Sequence, residues 1–434
     1  MRGSHLDWAG VSNLHPFGVF VLIACILSVL MLSREYVVIP LLVMITLIPS
    51  AQRIVVVSLD FSFVRIILLF TIFRIFNRKE YRNISFEKPD RYIRMWAIWS
   101  IIAYGILVGE LSGSVTRIGY MIEVIGAYFV GRVYLRSIDD FKQLVTLLGY
   151  FAIPTLLFFL VERWSGRNLF SVFGGVPEIT YIRDGRMRCQ GPFSHPITAG
   201  VFWASSLPLL AALWKTKDLS FSKGIFFIVC MVLIVINSAS STPIMAVIFG
   251  ALGFLLFYKR NLLPLFRRLL LSLLIFLHLI MEAPVWHLIS RINVVGGSTG
   301  WHRYHLIDKA VEHINEWWVI GILSTGHWGH ALSDITNQYL FEGVKAGLLG
   351  MLLFILFLIS VFSIIGRGMK KATSINQTWV LWALGVILSV HLMNFFAVSY
   401  FGQMVSAFYL FLGGTVSYSA QVYHASKKKS LPNI

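Results

Sequence analysis

Asp334-Ile-Thr-Asn-Gln-Tyr-Leu340 runs without a break into Phe341-Glu-Gly-Val-Lys-Ala-Gly-Leu-Leu-Gly350 and then into Met351-Leu-Leu-Phe-Ile-Leu-Phe-Leu-Ile359, where charge disappears. A polar entrance feeding an apolar stretch over 344–365 reads as the mouth of a membrane-spanning helix, because hydrocarbon offers no water to satisfy bare backbone. The rest of the chain repeats the pattern. With 57% hydrophobic and only 13% charged residues, the apolar surface exceeds what a water-soluble core of ordinary proportions hides. Spans are expected near 14–33, 36–51, 60–76, 95–109, 115–135, 141–161, 196–214, 224–240, 243–258, 267–281, 344–365, 378–397 and 401–420, about twelve to fourteen in all. The fold class is therefore an all-α polytopic membrane bundle. It forms a single integral membrane domain over 1–434, interrupted by two long polar segments at 162–195 and 282–343.

Lys and Arg collect beside the spans at Arg78 to Arg94, Lys215 to Lys223, Lys259 to Arg268, Arg367 to Lys371 and Lys427 to Lys429. Counting spans between them puts every cluster on one side, which the positive-inside rule makes cytoplasmic. Both long polar segments, and with thirteen spans the N-terminus, then lie outside. The same clusters facing an anionic leaflet account for most of the net charge of +17, so no nucleic-acid partner is expected. Cys25, Cys189 and Cys230 show no ligand spacing, and neither a disulfide framework nor a zinc site is indicated. No cleavable signal pattern precedes the first span, which is expected to be permanent. No internal repeat argues for a transporter built from inverted halves.

The first outer segment carries Arg163, Arg167, Arg183, Arg186 and Arg188 but no lysine, on the side where basic residues are normally scarce. Guanidinium forks hold phosphate oxygens through paired hydrogen bonds, so the cluster suits a lipid-linked phosphate or pyrophosphate. The simpler alternative is a solvated loop in which these arginines pair with Glu162, Glu178 and Asp184. His195 stands between Ser194 and Pro196 at the turn before the next span, where it either caps the helix or takes part in chemistry.

The second outer segment holds six of the chain's twelve histidines. Gly296-Gly-Ser-Thr-Gly300 has no Walker or strand-turn-helix context and reads as a connector. A helix is expected from Trp301 to about Trp318, with Leu306, Ile307, Ala310 and Ile314 on its apolar face. Arg303 lies nearer that face, so its charge wants a partner, which a substrate anion supplies. A helix lying on the membrane surface shows the same pattern without chemistry. His327 and His330 are three apart, but no third ligand at convincing spacing completes a metal site, and neither metal nor cofactor is expected.

Taken in order, these residues resemble a known family. Arg188 is followed three residues later by Gly191-Pro-Phe-Ser-His-Pro196 at the mouth of a span. Then come a Ser-rich junction from Ser238 to Thr242, Arg303 on an outer helix, a glycine turn at Gly321, and Asn337 ten residues before Gly347-Leu-Leu-Gly350. The set is similar to the O-antigen ligase and polysaccharide polymerase superfamily of bacterial inner membranes, over about residues 160–350. The resemblance implies a bundle related to the lipid-dependent glycosyltransferases (GT-C type). It also implies an enzyme that transfers a glycan from undecaprenyl pyrophosphate, at the periplasmic face, to an acceptor glycan or to lipid A core. Arg188 and Arg303 would hold the leaving pyrophosphate beside Arg183 and Arg186, and His195 and Asn337 would shape the acceptor side. A chain-length regulator is a possible protein partner, and membrane lipid surrounds the chain.

Two departures matter. The ligases carry a His before the motif Asn, where this chain has Thr336, and many members have Ser-Arg where this chain reads Ser240-Ser241-Thr242-Pro243. A base for the acceptor hydroxyl must then come from elsewhere, with His305, His330, Asp334 and His302 as local candidates. The missing His weighs against a ligase more than against a polymerase. Polymerase is thus the expected function, with ligase as the alternative. A non-enzymatic exporter is the third reading, although exporters usually carry midplane charges and few occur here beyond Glu123 and His391.

Overall fold

The computed structural model describes residues 11–56, 59–291 and 300–429, so 296–299 of the glycine-rich connector lie outside it. Fifteen α-helices occur among the described residues: α1 (Pro16–Met31), α2 (Val38–Leu47), α3 (Phe63–Asn77), α4 (Lys88–Val108), α5 (Leu111–Tyr134), α6 (Ile138–Ser165), α7 (Pro196–Lys215), α8 (Phe221–Asn237), α9 (Ser241–Leu255), α10 (Leu263–Ile280), α11 (Gly300–Glu312), α12 (Ile314–Trp317), α13 (Gln338–Lys371), α14 (Ile375–Asn394) and α15 (Gln403–Lys429). Each expected span coincides with one of them, and only α11 and α12 are additional. Five stretches are long and apolar enough to cross a membrane: α6, α7, α13, α14 and the run Ser241–Ile280 that joins α9 to α10. α1 and α8 are apolar but shorter, while α4 and α5 carry Asp90, Arg117, Glu123 and Arg132. α10 has no buried residue and stands on the outside of the bundle.

The helices outside the 300–335 segment alternate between two ends. At the basic end, Arg34 Nη2 donates to Val133 O at 2.9 Å, Arg136 Nη2 to Glu80 O at 2.7 Å and Asn376 Nδ2 to Thr216 O at 3.5 Å. Glu87 accepts there from Arg367 on α13 at 3.4 Å and meets His424 on α15 at 2.6 Å. The opposite end is tied as firmly. Gln52 Nε2 donates to Phe173 O at 2.6 Å, Gln403 Nε2 to Ile48 O at 3.1 Å and to Pro192 O at 2.8 Å, and Ser50 meets Ser194 at 2.8 Å. The basic connectors noted in the sequence gather at the first end, the two long polar segments at the second.

Packing is closest between α5 and α15. A Cβ on Gly131 would stand 2.1 Å from Leu410 O, and one on Gly413 1.9 Å from Tyr128 O, so glycine alone lets these backbones touch. Two antiparallel hairpins add strand to the expected all-helical fold: β1 (Arg53–Val56) with β2 (Leu59–Ser62), and β3 (Ile182–Arg183) with β4 (Arg186–Met187). Both sit at the second end.

The helix expected over 301–318 ends at Glu312 and resumes as the single turn of α12 after His313. α13 is likewise interrupted, at Ala346 and Gly347, where φ is 69° at the glycine. Backbone groups freed by the interruption find partners in the outer segment and in α4. Ile322 N donates to Val344 O at 2.7 Å, Leu348 N to Trp318 O at 2.8 Å, and Trp99 Nε1 to Ala346 O at 2.8 Å. A Cβ at position 347 would stand 2.2 Å from Val319 O, so the left-handed conformation and the close approach both require glycine. A small core of its own, with Leu306, Ala310, Trp317, Trp328 and Leu332, holds the outer segment together.

Candidate functional site

Asp184-Gly185, with φ of 51° and 71°, turns the β3–β4 hairpin; Asp-Gly at that position is the usual signal for a two-residue turn whose twist matches its strands. In this register Arg183 pairs with Arg186, and Arg188 follows Arg186 by two. Directly paired residues share a face, as do residues two apart on a strand, so all three arginines project from one side of the hairpin. The Arg188 amide continues the pairing by donating to Tyr181 O at 2.9 Å, and Cys189 N donates to Asn237 O at 3.1 Å. The second bond seats the base of the hairpin on the Ser-rich junction ahead of α9.

Arg188 is only 6% exposed, yet its side chain makes no hydrogen bond or ion pair among the described residues, and its Nε is buried without a partner. Glu162, the buried carboxylate of this segment, is occupied elsewhere: it accepts from the amides of Gln190 and Gly191 and from Thr180 Oγ1, at 3.2, 3.0 and 3.3 Å. Pairing with acidic neighbours is seen for Arg167 with Glu178 at 3.5 Å and for Arg183 with Asp184 at 3.6 Å. Arg303 approaches from α11. Its Nη2 donates to Thr242 Oγ1 at 2.9 Å, and its Nε is buried without a partner. Leu306 and Ala310, which share its side of α11, are 1% and 0% exposed, so the helix turns this arginine inward.

Burial pushes the Arg188 pKa below its ordinary value, and the Arg183 guanidinium adds to the shift. The same two causes bring Arg303 down to about 10, which leaves it cationic at neutral pH. Arg183, Arg188 and Arg303 thus share one electrostatic neighbourhood in which cations repel each other. α7 and α9 both begin at this end, and Ser240 makes no side-chain capping bond at the start of α9. Their N-terminal amides add further positive potential.

His195 caps α7, with Nδ1 accepting from Ile197 N at 3.1 Å. Asn337 caps α13, with Oδ1 accepting from the amides of Tyr339 and Leu340 at 3.0 and 3.1 Å. Both residues therefore position helices whose first turns face the second end. His305 is two residues from Arg303, about 200° around the helix, and stacks at 4.7 Å on Trp301. The arginines come together; His305 does not join them. His330 and Asp334 are exposed in the segment leading to α13. Thr336 buries its Oγ1 without a partner among the described residues.

Two constellations escaped the sequence reading. One is the buried pair of Arg117 Nη2 and Glu342 Oε2 at 2.7 Å, supported by Gln338 Nε2 on Glu342 Oε1 at 2.9 Å and by Arg117 Nε on Ser100 Oγ at 2.6 Å. The other is at His327: His313 and Glu316 stand beside it, with His330 outside the group. Comparison with protein-family models and with curated proteins finds no match to this chain.

Proposed function

We propose that this chain is a polysaccharide polymerase of bacterial inner membranes, which transfers a glycan from undecaprenyl pyrophosphate to the hydroxyl of an acceptor glycan at the periplasmic face. The observation that carries the reading is the pair of inward-turned arginines, Arg188 and Arg303, with no carboxylate partner among the described residues. An unpartnered buried cation is costly, and a bound anion offsets that cost. In the reaction, the bond from the anomeric carbon to the pyrophosphate oxygen breaks as a bond from that carbon to the acceptor oxygen forms. Negative charge grows on the departing pyrophosphate, where fixed guanidinium donors act most strongly. Arg183 and Arg186 extend the donor set along the hairpin. The acceptor's proton leaves to a base of the outer segment, for which His305, His330 and Asp334 are the candidates. In this reading the bundle is of the lipid-dependent glycosyltransferase type, multi-pass, with the arginine end outside and a chain-length regulator as a possible partner.

Thr336 in place of the ligase His favours polymerase over ligase. Against an exporter, the interior charges anticipated for one are already paired: Glu123 binds Arg65 at 3.0 Å and Ser406 at 2.6 Å, and His391 meets Tyr400 at 2.6 Å. Membrane extracts from a deletion strain separate the three functions. Loss of a polymerase leaves single repeats on the acceptor; loss of a ligase leaves polymer on the lipid carrier; loss of an exporter leaves repeats facing the cytoplasm. Reporters active only in the cytoplasm are expected to work after Arg94, Arg260 or Lys371 and to fail after Asp184. A cytoplasmic signal from 282–343 would overturn the reaction as proposed.

A further inference from the structure

We propose that His313, Glu316 and His327 form a site for a divalent transition metal of the zinc type, separate from the arginine pocket. His313 Nδ1 lies 2.7 Å from Glu316 Oε1, and His327 Nε2 lies 2.7 Å from Glu316 Oε2. One ligand atom from each residue falls within 4.8 Å of the others. In a tetrahedral zinc site with bonds near 2.0–2.1 Å, ligand atoms stand roughly 3.3 Å apart, so an ion enters by widening these contacts about half an ångström.

The side chains are held in place by more than their mutual contacts. Trp328, 3% exposed and part of the small outer core, donates from Nε1 to Glu316 Oε2 at 2.9 Å and so orients the carboxylate from behind. The same indole stacks on His313, with centroids 5.5 Å apart and planes 11° apart, while His327 meets His313 edge-on at 5.6 Å. A hydrogen-bond donor behind a ligating carboxylate fixes its direction and tunes its basicity. Hydrogen bonds from Trp328, His313 and His327 hold the Glu316 pKa down at about 2, so the carboxylate is ionised at neutral pH.

Two imidazoles and one carboxylate suit zinc, cobalt or nickel, whereas magnesium and calcium prefer sets made entirely of oxygen. Glu316 and His327 side chains are 36% and 52% exposed, which leaves a coordination position for water and a path for the ion. His313 precedes the single turn of α12 and Glu316 lies within it, while His327 sits in the 3-10 turn Gly326–Trp328, 11 residues beyond Glu316. The ion therefore clips α12 to residues 326–328, inside the segment that leads to α13.

The test uses the full chain, purified in detergent through a histidine-free tag and stripped with chelator. Titration with Co2+ is expected to give the visible absorption of a four- or five-coordinate ion, saturating at one per chain and abolished by Zn2+. His327→Ala and Glu316→Gln are expected to weaken Co2+ binding about 10–100-fold or more, while His330→Ala leaves it unchanged. In the unsubstituted chain, Zn2+ is expected to shield His313 and His327, but not His330, from diethyl pyrocarbonate, read by peptide mass spectrometry. Absence of the Co2+ spectrum, equal binding by the variants, or equal labelling of all three histidines with and without Zn2+ would overturn the proposal.

Discussion

Arg132 and Arg188 are both buried, at opposite ends of the molecule, and their surroundings differ. At the basic end Arg132, 2% exposed, holds Asp90 through Nε and Nη2 at 3.0 Å each, while Tyr128 donates to the same carboxylate at 2.7 Å. Arg74, 1% exposed, is bound to Glu80 at 3.0 Å and to the carbonyls of Val29 and Leu32 at 2.6 Å. These guanidiniums neutralise charge and tie connectors together. At the other end Arg188 and Arg303 enter the protein with no carboxylate to meet them among the described residues, and Glu162, buried nearby, is occupied by backbone amides. A buried cation without a counter-charge is costly, and a bound anion would offset that cost. The first set therefore ties the fold together, and the proposed function assigns the second to ligand.

The sharpest way to break this division is to remove an arginine from each class. Arg117→Met strands the fully buried Glu342, and stability is expected to fall by about 3–5 kcal/mol. The check is a lower melting temperature and lower accumulation in the membrane. Arg188→Ala and Arg303→Ala are expected to leave the melting temperature unchanged or higher, yet to lower polymer formation about 100–1,000-fold. Lys at either position restores little, since a point charge does not reproduce the planar fork. If Arg188→Ala destabilised the protein as Arg117→Met does, the division between carboxylate-paired and unpaired buried arginines would fail.

A finer test concerns the side chain that aims Arg303. Thr242→Val removes the acceptor of its 2.9 Å hydrogen bond and is expected to reduce the rate about 10–100-fold, with Thr242→Ser close to the parent. The smallest effects belong to the base candidates. His305 faces away from Arg303, His330 and Asp334 are exposed, and pyrophosphate is a good leaving group. Ala variants of those candidates that do not take the acceptor proton are expected to change the rate less than about threefold. A variant that lost its alkaline plateau by more than about tenfold would instead identify the base.

How much of this was legible depended on the range over which each signal acts. Hydropathy is local, and each expected apolar stretch became a helix. The inward side of Arg303 was legible too, because the spacing of Leu306 and Ala310 already marks the buried face of α11. The β3–β4 hairpin is signalled by Asp184-Gly185 alone, since strands this short give little alternation to mark them. Tertiary partners were out of reach. Glu342 finds Arg117 across 225 positions, and its isolation in an apolar helix says only that a partner is needed. Glu316 was likewise visible only as a polar residue near a helix end, because the bend at His313 and the return of the chain at Trp328 decide what it touches.

The interruption of α13 bears on how the chain is assembled. Beyond Gly347 the helix is apolar, makes its own hydrogen bonds and suits insertion into a bilayer as one piece. The portion before the break, from Gln338 to Lys345, is too short to persist as an isolated helix, and it carries Glu342, which depends on α5 for its partner. The order of events expected from this is that the long portion enters first and the short portion seats once α5 and residues 318–322 are in position. The step expected last is then on the arginine side: the docking of a half-helix whose backbone hydrogen bonds are completed by Trp318 and Ile322.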